Sequence, residues 1–122
     1  MLSMVDNEAM QSIGQLRRGA ADRCVLAILQ HHESYGFDLA KTLADAQLIA
    51  GEGTIYPLLS RLRREGLVDT RWSESPHGPP RRYYVLTRDG EAALDQFRTQ
   101  WSRFKHAVDI IMNLAQEGPN DE

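Results

Sequence analysis

Apolar residues in the first quarter of the chain recur at the three- and four-residue spacing of amphipathic helices. Residues 4–16 predict a short helix, with Ala9, Met10, Ile13 and Leu16 on one face. A clearer stripe predicts the next helix and consists of Ala21, Cys24, Val25, Ile28 and Leu29. Because Cys24 lies within this stripe, we interpret it as a packing residue rather than a reactive thiol.

The middle of the chain predicts two more helices, separated by a glycine-rich break. Ser34 is placed to cap the first of them. Its inner face contains Gly36, Leu39, Ala40 and Leu43, and the pattern fades by Gln47. After the break at residues 51–53, a helix is predicted over residues 54–65, with the apolar stripe Ile55, Leu58, Leu59 and Leu62. Gly66 is placed to end this helix.

After Gly66 the apolar period shortens to that of a strand. Val68, Thr70 and Trp72 alternate with charged residues, which predicts a first strand. Residues 73–80 are rich in turn formers and predict a loop, and residues 81–86 are rich in β-formers and predict the returning strand. Such a hairpin must pack on the helices, because an isolated one is marginal in water.

The last helical segment carries a heptad pattern. Thr87 is placed to cap it, and residues 88–117 predict one helix of roughly 40 Å. Its apolar positions alternate in steps of three and four: Leu94, Phe97, Trp101, Phe104, Val108, Ile111 and Ala115. This pattern is typical of helices that pack against each other. The part near Leu94 can pack on its own domain, but the aromatic residues further along predict a homodimer seam, because soluble monomers avoid exposing such a patch.

Charge is distributed unevenly along the chain. The formal net charge is −3, which by itself disfavours nucleic-acid binding. Residues 54–88, however, contain seven arginines and three carboxylates, a local charge of +4. Phosphate binding responds to this local field, so the basic segment is the candidate nucleic-acid-binding surface.

The predicted helix at residues 54–65 presents polar groups opposite its apolar stripe. Helical geometry places Gly53, Pro57, Ser60, Arg61 and Arg64 on that side, with Tyr56 and Arg63 on the flank. Arginine can contact guanine edges, while hydroxyl groups and helix N-terminal amides suit phosphates. Helices followed by a hairpin predict a helix-turn-helix whose last helix enters the major groove. The alternative is that these arginines form only a solvated surface.

The hairpin supplies a second basic feature. Arg81 and Arg82 follow the rigid tip Gly78-Pro79-Pro80, and His77 lies on the same tip. A stiff loop flanked by arginines is suited to a groove or to the phosphates beside it. With a two-fold dimer, the two recognition helices would meet half-sites about one DNA turn apart, in a pseudo-palindromic operator.

Other functional classes find little support in the sequence. No apolar stretch approaches the roughly 20 residues that span a bilayer, so we expect a cytoplasmic protein without a membrane partner. His31 and His32 point apart on a helix, and His77 and His106 are distant in sequence, so we predict no metal and no cofactor. No nucleophile, phosphate loop or carboxylate pair has catalytic spacing, and we predict that the chain is not an enzyme.

Four strings resemble the PadR family of bacterial transcriptional regulators: SYGFDL (34–39), EGTIYPLLSRL (52–62), EGLV (65–68) and GPPRRYYVLTRDG (78–90). The resemblance extends over residues 16–101, and the short chain with one C-terminal helix resembles the smaller of the family's two main subgroups. It implies a winged helix with an extra N-terminal helix and a C-terminal dimerisation helix. It also implies repression that is relieved by an inducer such as a phenolic acid or a lipophilic drug.

The resemblance carries residue roles as well. The family residues matching Tyr35, Gly53, Thr54, Tyr56 and Pro57 lie in or beside the DNA-contacting helices, and those matching Gly78, Pro79 and Arg81 belong to the wing. Gly51 departs from the family, which often has a capping serine there, and this leaves the start of the recognition helix open. Some small members stack flat ligands on a tryptophan of the last helix, which implies a ligand site at Trp101, Phe97 and Phe104. The alternative is that Trp101 only fills the dimer seam.

The sequence thus predicts a mainly α (α+β) winged helix-turn-helix protein. Its expected parts are an N-terminal arm or helix (1–17), the winged helix-turn-helix domain (18–87), the dimerisation helix (88–117) and a disordered tail (118–122). The predicted function is that of a homodimeric, sequence-specific DNA-binding regulator, a repressor relieved by a small aromatic or lipophilic inducer. A winged-helix protein-interaction module that never binds DNA is the main alternative, and a ligand-binding carrier is a weaker one.

Overall fold

The computed structural model describes residues 19–75 and 78–117 of the 122-residue chain. The helix predicted over residues 4–16, the wing residue His77 and the tail 118–122 lie outside the described residues. In chain order the elements are α1 (described over residues 19–31), β1 (Ser34–Tyr35), α2 (Gly36–Asp45), a 3₁₀ turn (Glu52–Thr54), α3 (Ile55–Arg64), β2 (Val68–Ser75), β3 (Gly78–Leu86) and α4 (Arg88–Glu117). The described chain is therefore mainly helical with one small sheet, as the sequence predicts.

The sheet is antiparallel, with the strand order β1-β3-β2. The prediction that Ser34 caps α2 is wrong, because Ser34 belongs to β1, the shortest strand of the sheet. Ser34 pairs with Tyr84 in the sheet, and its hydroxyl donates to the carbonyl of His32 at 3.3 Å. Tyr35 instead occupies the N-cap position of α2, without a side-chain cap bond. A serine next to a helix start is thus recruited by a distant strand, which a local pattern does not reveal.

The hairpin strands are longer than predicted. Residues 73–80, predicted as a loop, mostly continue the strands, because Ser73 pairs with Arg81 and Ser75 with Gly78. Two prolines are tolerated in β3 because β1 pairs only with Tyr83 and Tyr84. Residues 78–82 therefore have no neighbour on the β1 side, where a missing N–H costs no ladder bond. The result is an extended wing rather than a compact loop.

A single apolar core holds the helices and the sheet together. Both predicted inner faces are buried, Gly36, Leu39, Ala40 and Leu43 on α2 and Ile55, Leu58, Leu59 and Leu62 on α3. On α1 the buried residues are Ala21, Val25, Leu26 and Leu29, while Cys24 and Ile28 pack at the margin. Burial first, and the nearby Asp22 carboxylate second, raise the pKa of the Cys24 thiol, which keeps it protonated and unreactive at neutral pH.

The end of α3 is bonded directly to the start of α4. Gly66 has a φ of 78°, and the Leu67 N–H donates to the Leu62 carbonyl at 3.0 Å. The prediction that Gly66 ends α3 is therefore confirmed. The Thr87 hydroxyl donates to the Gly66 carbonyl at 2.7 Å and accepts the Gly90 N–H at 3.0 Å, so it caps α4 as expected. This joint sets the direction in which α4 leaves the domain relative to α3.

Candidate nucleic-acid interface

The face of α3 opposite the core is uncovered. Tyr56, Pro57, Ser60 and the three arginines 61, 63 and 64 are all exposed, while the apolar stripe behind them is buried. A helix held from one side in this way presents its polar side as a rigid surface. The surface carries three positive charges within one turn of its C-terminal end.

The three arginines of α3 differ in what holds them. The Arg61 guanidinium lies 3.6 Å from a carboxylate oxygen of Asp22, so this side chain is drawn towards α1. Within the described residues, Arg63 and Arg64 have neither an ion pair nor a hydrogen bond from their guanidinium groups. Arg63 and Arg64 are therefore the less constrained arginines of α3, and Arg61 is partly engaged by its own domain. Sequence patterning could not reveal the Asp22 partner, which belongs to another helix.

The turn before α3 is packed closely against the start of α2. The Thr54 hydroxyl donates to the Gly51 carbonyl at 2.8 Å, a contact within the 3₁₀ turn, and Gly51 occupies the N-cap position of that turn without a side-chain cap bond. A Cβ atom at Gly36 would lie 3.0 Å from the Tyr56 ring, whereas one at Gly53 would meet nothing within 4 Å. Gly36 therefore allows Tyr56 to lie across the α2 N-terminus, and the backbone at Gly53 is open to a ligand.

The base of the wing is ordered by contacts between arginines and aromatic rings. The Arg81 guanidinium lies 5.0 Å from the centre of the Tyr35 ring, and that of Arg82 lies 5.9 Å from the Trp72 ring. Both arginines, together with Gly78 and Pro79, are exposed. The contacts arise because cross-strand neighbours on one face of a sheet lie within reach of long side chains.

A groove of about 560 Å³ lies between the wing and helices α2 and α3. It is lined by the start of α2, by Tyr56 of α3 and by the β3 arginines 81 and 82. The predicted residues Tyr35, Tyr56 and Arg81 thus lie around one concavity, while Ser60 and Arg64 lie further along α3. Phe37, which is exposed, and Tyr84, which is buried, also line the groove and were not predicted as site residues.

The seam predicted on α4 is largely uncovered within one chain. Leu94 is the exception, since it is 1% exposed and belongs to the core of its own domain. Phe97 and Val108 are partly buried, whereas Trp101, Phe104 and Ile111 are 45%, 61% and 62% exposed. The side chain of Ala115 lies outside the described part of the chain. The exposed part of the seam therefore begins at Phe97, and Leu94 packs on its own domain, as expected for that end of the helix.

The described residues contain neither a metal-binding cluster nor a membrane-spanning helix. Within residues 19–75 and 78–117, no group of three or more His, Cys, Asp or Glu side chains could hold a metal ion. In the same part of the chain, no helix has the length and apolarity to cross a bilayer.

Comparisons with known proteins point to one family. The transcriptional regulator PadR-like family matches residues 25–96. A PadR-like transcription factor from Bacteroides fragilis is 39% identical, with a TM-score of 0.66, over 80% of this chain and 94% of that one. A PadR-like regulator from Bacillus cereus is 32% identical, with a TM-score of 0.74, over 82% of this chain and 98% of that one. A PadR family regulator from Eggerthella lenta is also 32% identical, with a TM-score of 0.74, over 90% and 97% of the two chains.

Proposed function

Because the chain belongs to the PadR-like family of transcriptional regulators, we propose that it is a cytoplasmic, homodimeric repressor that binds a specific pseudo-palindromic operator. Members of this family regulate transcription and are not enzymes, and the fold of this chain is their winged helix. DNA-binding regulation follows from that membership. We propose in addition that the protein is a dimer, that it represses transcription, and that the individual residues named below contact DNA.

One observation carries the proposal: the polar face of α3 and the apolar face of α4 are both uncovered in the single chain. On α3, Arg64 and Ser60 face outward from a buried stripe, which suits base and phosphate contacts in a major groove. On α4, large apolar side chains face solvent, which suits a second copy of the same helix. Pairing through α4 would direct two copies of α3 towards a common duplex.

The wing supplies the second part of the proposed interface. Arg81 and Arg82 are exposed next to the groove at the start of α2, and Gly78 and Pro79 extend beyond them. Arginines at this position suit phosphates flanking the major groove, which orient the protein without reading sequence. His77 is included in the wing contact by its place in the sequence alone.

The proposed inducer would bind where the aromatic residues of α4 meet. The ring centres of Phe97 and Trp101 are 6.1 Å apart at an interplanar angle of 12°, and those of Trp101 and Phe104 are 6.3 Å apart at 33°. The Phe97 and Trp101 rings are nearly parallel, and Trp101 and Phe104 are exposed, which suits a flat aromatic or lipophilic molecule between two copies of the helix. The same rings also suit simple packing in the dimer seam. Tryptophan fluorescence quenching by a flat aromatic compound, together with loss of DNA binding, separates the two roles.

A gel-shift titration tests the DNA-binding proposal directly. The purified protein would be titrated against the duplex upstream of its own gene and against a random-sequence duplex, in a salt series. We expect tighter binding to the upstream duplex, and affinity for both duplexes that falls as salt rises. Equal binding to both duplexes would favour the protein-interaction module instead. Quenching of tryptophan fluorescence by aromatic compounds, in a protein that shows no DNA binding, would favour a ligand carrier.

The Arg64→Ala variant tests base recognition by α3. We expect it to weaken operator binding by about 1–3 kcal/mol and to relax specificity at one base pair, because a bidentate guanidinium contact is lost. Binding of a set of operator duplexes with single substitutions measures both effects. Arg103→Ala is the matched control, since it removes the same charge from an exposed position on α4, away from α3. Equal losses in both variants would show that Arg64 acts only through net charge.

The Arg81→Ala variant tests phosphate contact by the wing. We expect weaker binding to operator and random duplexes alike, with the slope of log affinity against log salt reduced by about one. Filter binding or fluorescence anisotropy over a range of salt concentrations gives that slope. A slope equal to that of the wild-type protein would remove Arg81 from the interface.

A further inference from the structure

The side chain of Arg81 ends a column of stacked groups that crosses all three strands. We propose that Tyr83 and Arg71 are positioning residues, which hold the Tyr35 ring so that it fixes the Arg81 guanidinium for a DNA phosphate. This rests on the proposed function, in which Arg81 contacts the DNA backbone. None of the family strings or charge patterns in the sequence distinguishes Tyr83 from its neighbour Tyr84.

The column is built by strand register. Tyr35 of β1 and Arg71 of β2 are both paired with Tyr83 of β3, so these three side chains occupy one row on the same face of the sheet. Arg81 precedes Tyr83 by two residues on β3 and therefore points to that face as well. Tyr84 points to the opposite face and is buried in the core.

Direct contacts connect the members of the row. The Tyr35 and Tyr83 rings are stacked, with centres 4.1 Å apart and an interplanar angle of 25°. A guanidinium group covers each outer side, Arg81 at 5.0 Å from the Tyr35 ring centre and Arg71 at 5.2 Å from the Tyr83 ring centre. A hydrogen bond with Tyr35, and next the partial burial of the ring, raise the pKa of Tyr83, while the nearby Arg71 and Arg81 cations act in the opposite direction.

The far end of the column is anchored to Glu33, the residue just before β1. The Arg71 guanidinium donates to both carboxylate oxygens of Glu33, with its Nε atom 3.1 Å from one of them. A bidentate pair of this kind fixes the plane of the guanidinium group. Glu33 also balances the charge of Arg71, which leaves Arg81 as the free cation of the column.

The column reduces the conformational entropy that the Arg81 side chain loses when the protein binds DNA. A free arginine side chain loses rotamer freedom when it is fixed on a phosphate, and this loss weakens binding. A side chain already stacked on a ring has lost much of that freedom before DNA arrives. Both Tyr83 and Arg71 therefore act on DNA through Arg81, with no contact of their own required.

A series of variants at residue 83 tests the proposal. We expect Tyr83→Ile, which keeps a strand-forming side chain, to weaken binding to a random-sequence duplex about three- to tenfold, because the Tyr35 ring loses its stacking partner and no longer holds the Arg81 guanidinium. The matched variant Tyr83→Phe keeps the ring and should bind within about twofold of the wild-type protein. Circular dichroism and thermal unfolding confirm that each variant is folded.

A double variant shows whether the effect passes through Arg81. In the Arg81→Ala background, we expect Tyr83→Ile to cause no further loss of affinity, because the side chain that it positions is already absent. A further loss of the same size in that background would overturn the proposal, as would wild-type affinity in Tyr83→Ile alone. Either result would leave the proposed function intact, provided that Arg81→Ala itself weakens binding. Failure of the wild-type protein to bind any duplex would instead remove the proposed function and this proposal together.

A measurement without DNA examines the column itself. The Arg81 guanidinium carbon lies 5.0 Å from the centre of the Tyr35 ring, so the NMR resonance of the adjacent Nε–H should be shifted upfield in the free wild-type protein. Tyr83→Phe should keep that shift and Tyr83→Ile should reduce it. An unshifted resonance in the wild-type protein would refute the column, whatever the affinities are.

Discussion

Replacing Phe104 with glutamate should convert the protein to a monomer and abolish operator binding at concentrations where the wild-type protein is saturated. Phe104 is 61% exposed in the single chain and lies on the apolar seam of α4. In the proposed dimer each copy would bury an unpaired carboxylate, and such an uncompensated charge costs about 3–5 kcal/mol. The dimer dissociation constant should therefore rise at least about a hundredfold. Sedimentation equilibrium measures it, and a gel shift reports the DNA consequence.

The matched control for Phe104→Glu is Ser102→Glu. Residue 102 is exposed and lies on the side of α4 away from the seam. Both variants add one negative charge to the same helix, so any general repulsion of DNA is shared between them. Ser102→Glu should remain dimeric and bind the operator nearly as the wild-type protein does. A dimer in Phe104→Glu of undiminished stability would show that α4 pairs through another face, or does not pair at all.

Replacing Gly90 with alanine should destabilise the folded protein by about 3 kcal/mol. Helix propensity alone predicts the opposite sign, because alanine is favoured over glycine within a helix by up to about 1 kcal/mol. The structure reverses that expectation: a Cβ at Gly90 would lie 2.1 Å from the Leu67 carbonyl oxygen and 2.5 Å from Leu86 Cδ1. Because the first of these is a backbone atom, the clash cannot be relieved by rotating a side chain. Thermal or urea unfolding measures the loss.

Gly19→Ala separates the clash from the general effect of removing a glycine. Gly19 lies in α1, where an added Cβ would have no neighbour within 4 Å. This variant should be as stable as the wild-type protein or slightly more stable. If Gly90→Ala were equally stable, α4 would not be seated on the Gly66–Leu67 turn as described, and the joint that relates α3 to α4 would be wrong.

Features set by local chemistry were predicted well from the sequence. The buried stripes of α2 and α3 follow the helical period, because only one face of each helix meets the core. Gly66 and Thr87 were assigned correctly because caps depend on backbone conformation and on a nearby hydroxyl group. The exposed face of α3 followed from these assignments, since it is the side that the core leaves uncovered.

Features set by distant partners were not predicted. Ser34 was assigned as a cap because its pairing with Tyr84 joins strands far apart in the sequence. Likewise Arg71 meets a carboxylate 38 residues earlier, and the Asp22 partner of Arg61 lies on a different helix. Spacing within a segment contains no information about such pairs. The charge count of residues 54–88 therefore identified a basic surface without showing which of its arginines are free.

Hydroxyl-radical footprinting of the protein on the duplex upstream of its own gene tests most directly whether two copies present α3 to one DNA molecule. We expect two protected segments related by a two-fold axis, on one face of the duplex. Their centres should be about 10–10.5 base pairs apart, or a whole multiple of that spacing. A single unsymmetrical protected segment would contradict the paired arrangement, and uniform protection of the duplex would contradict specific recognition.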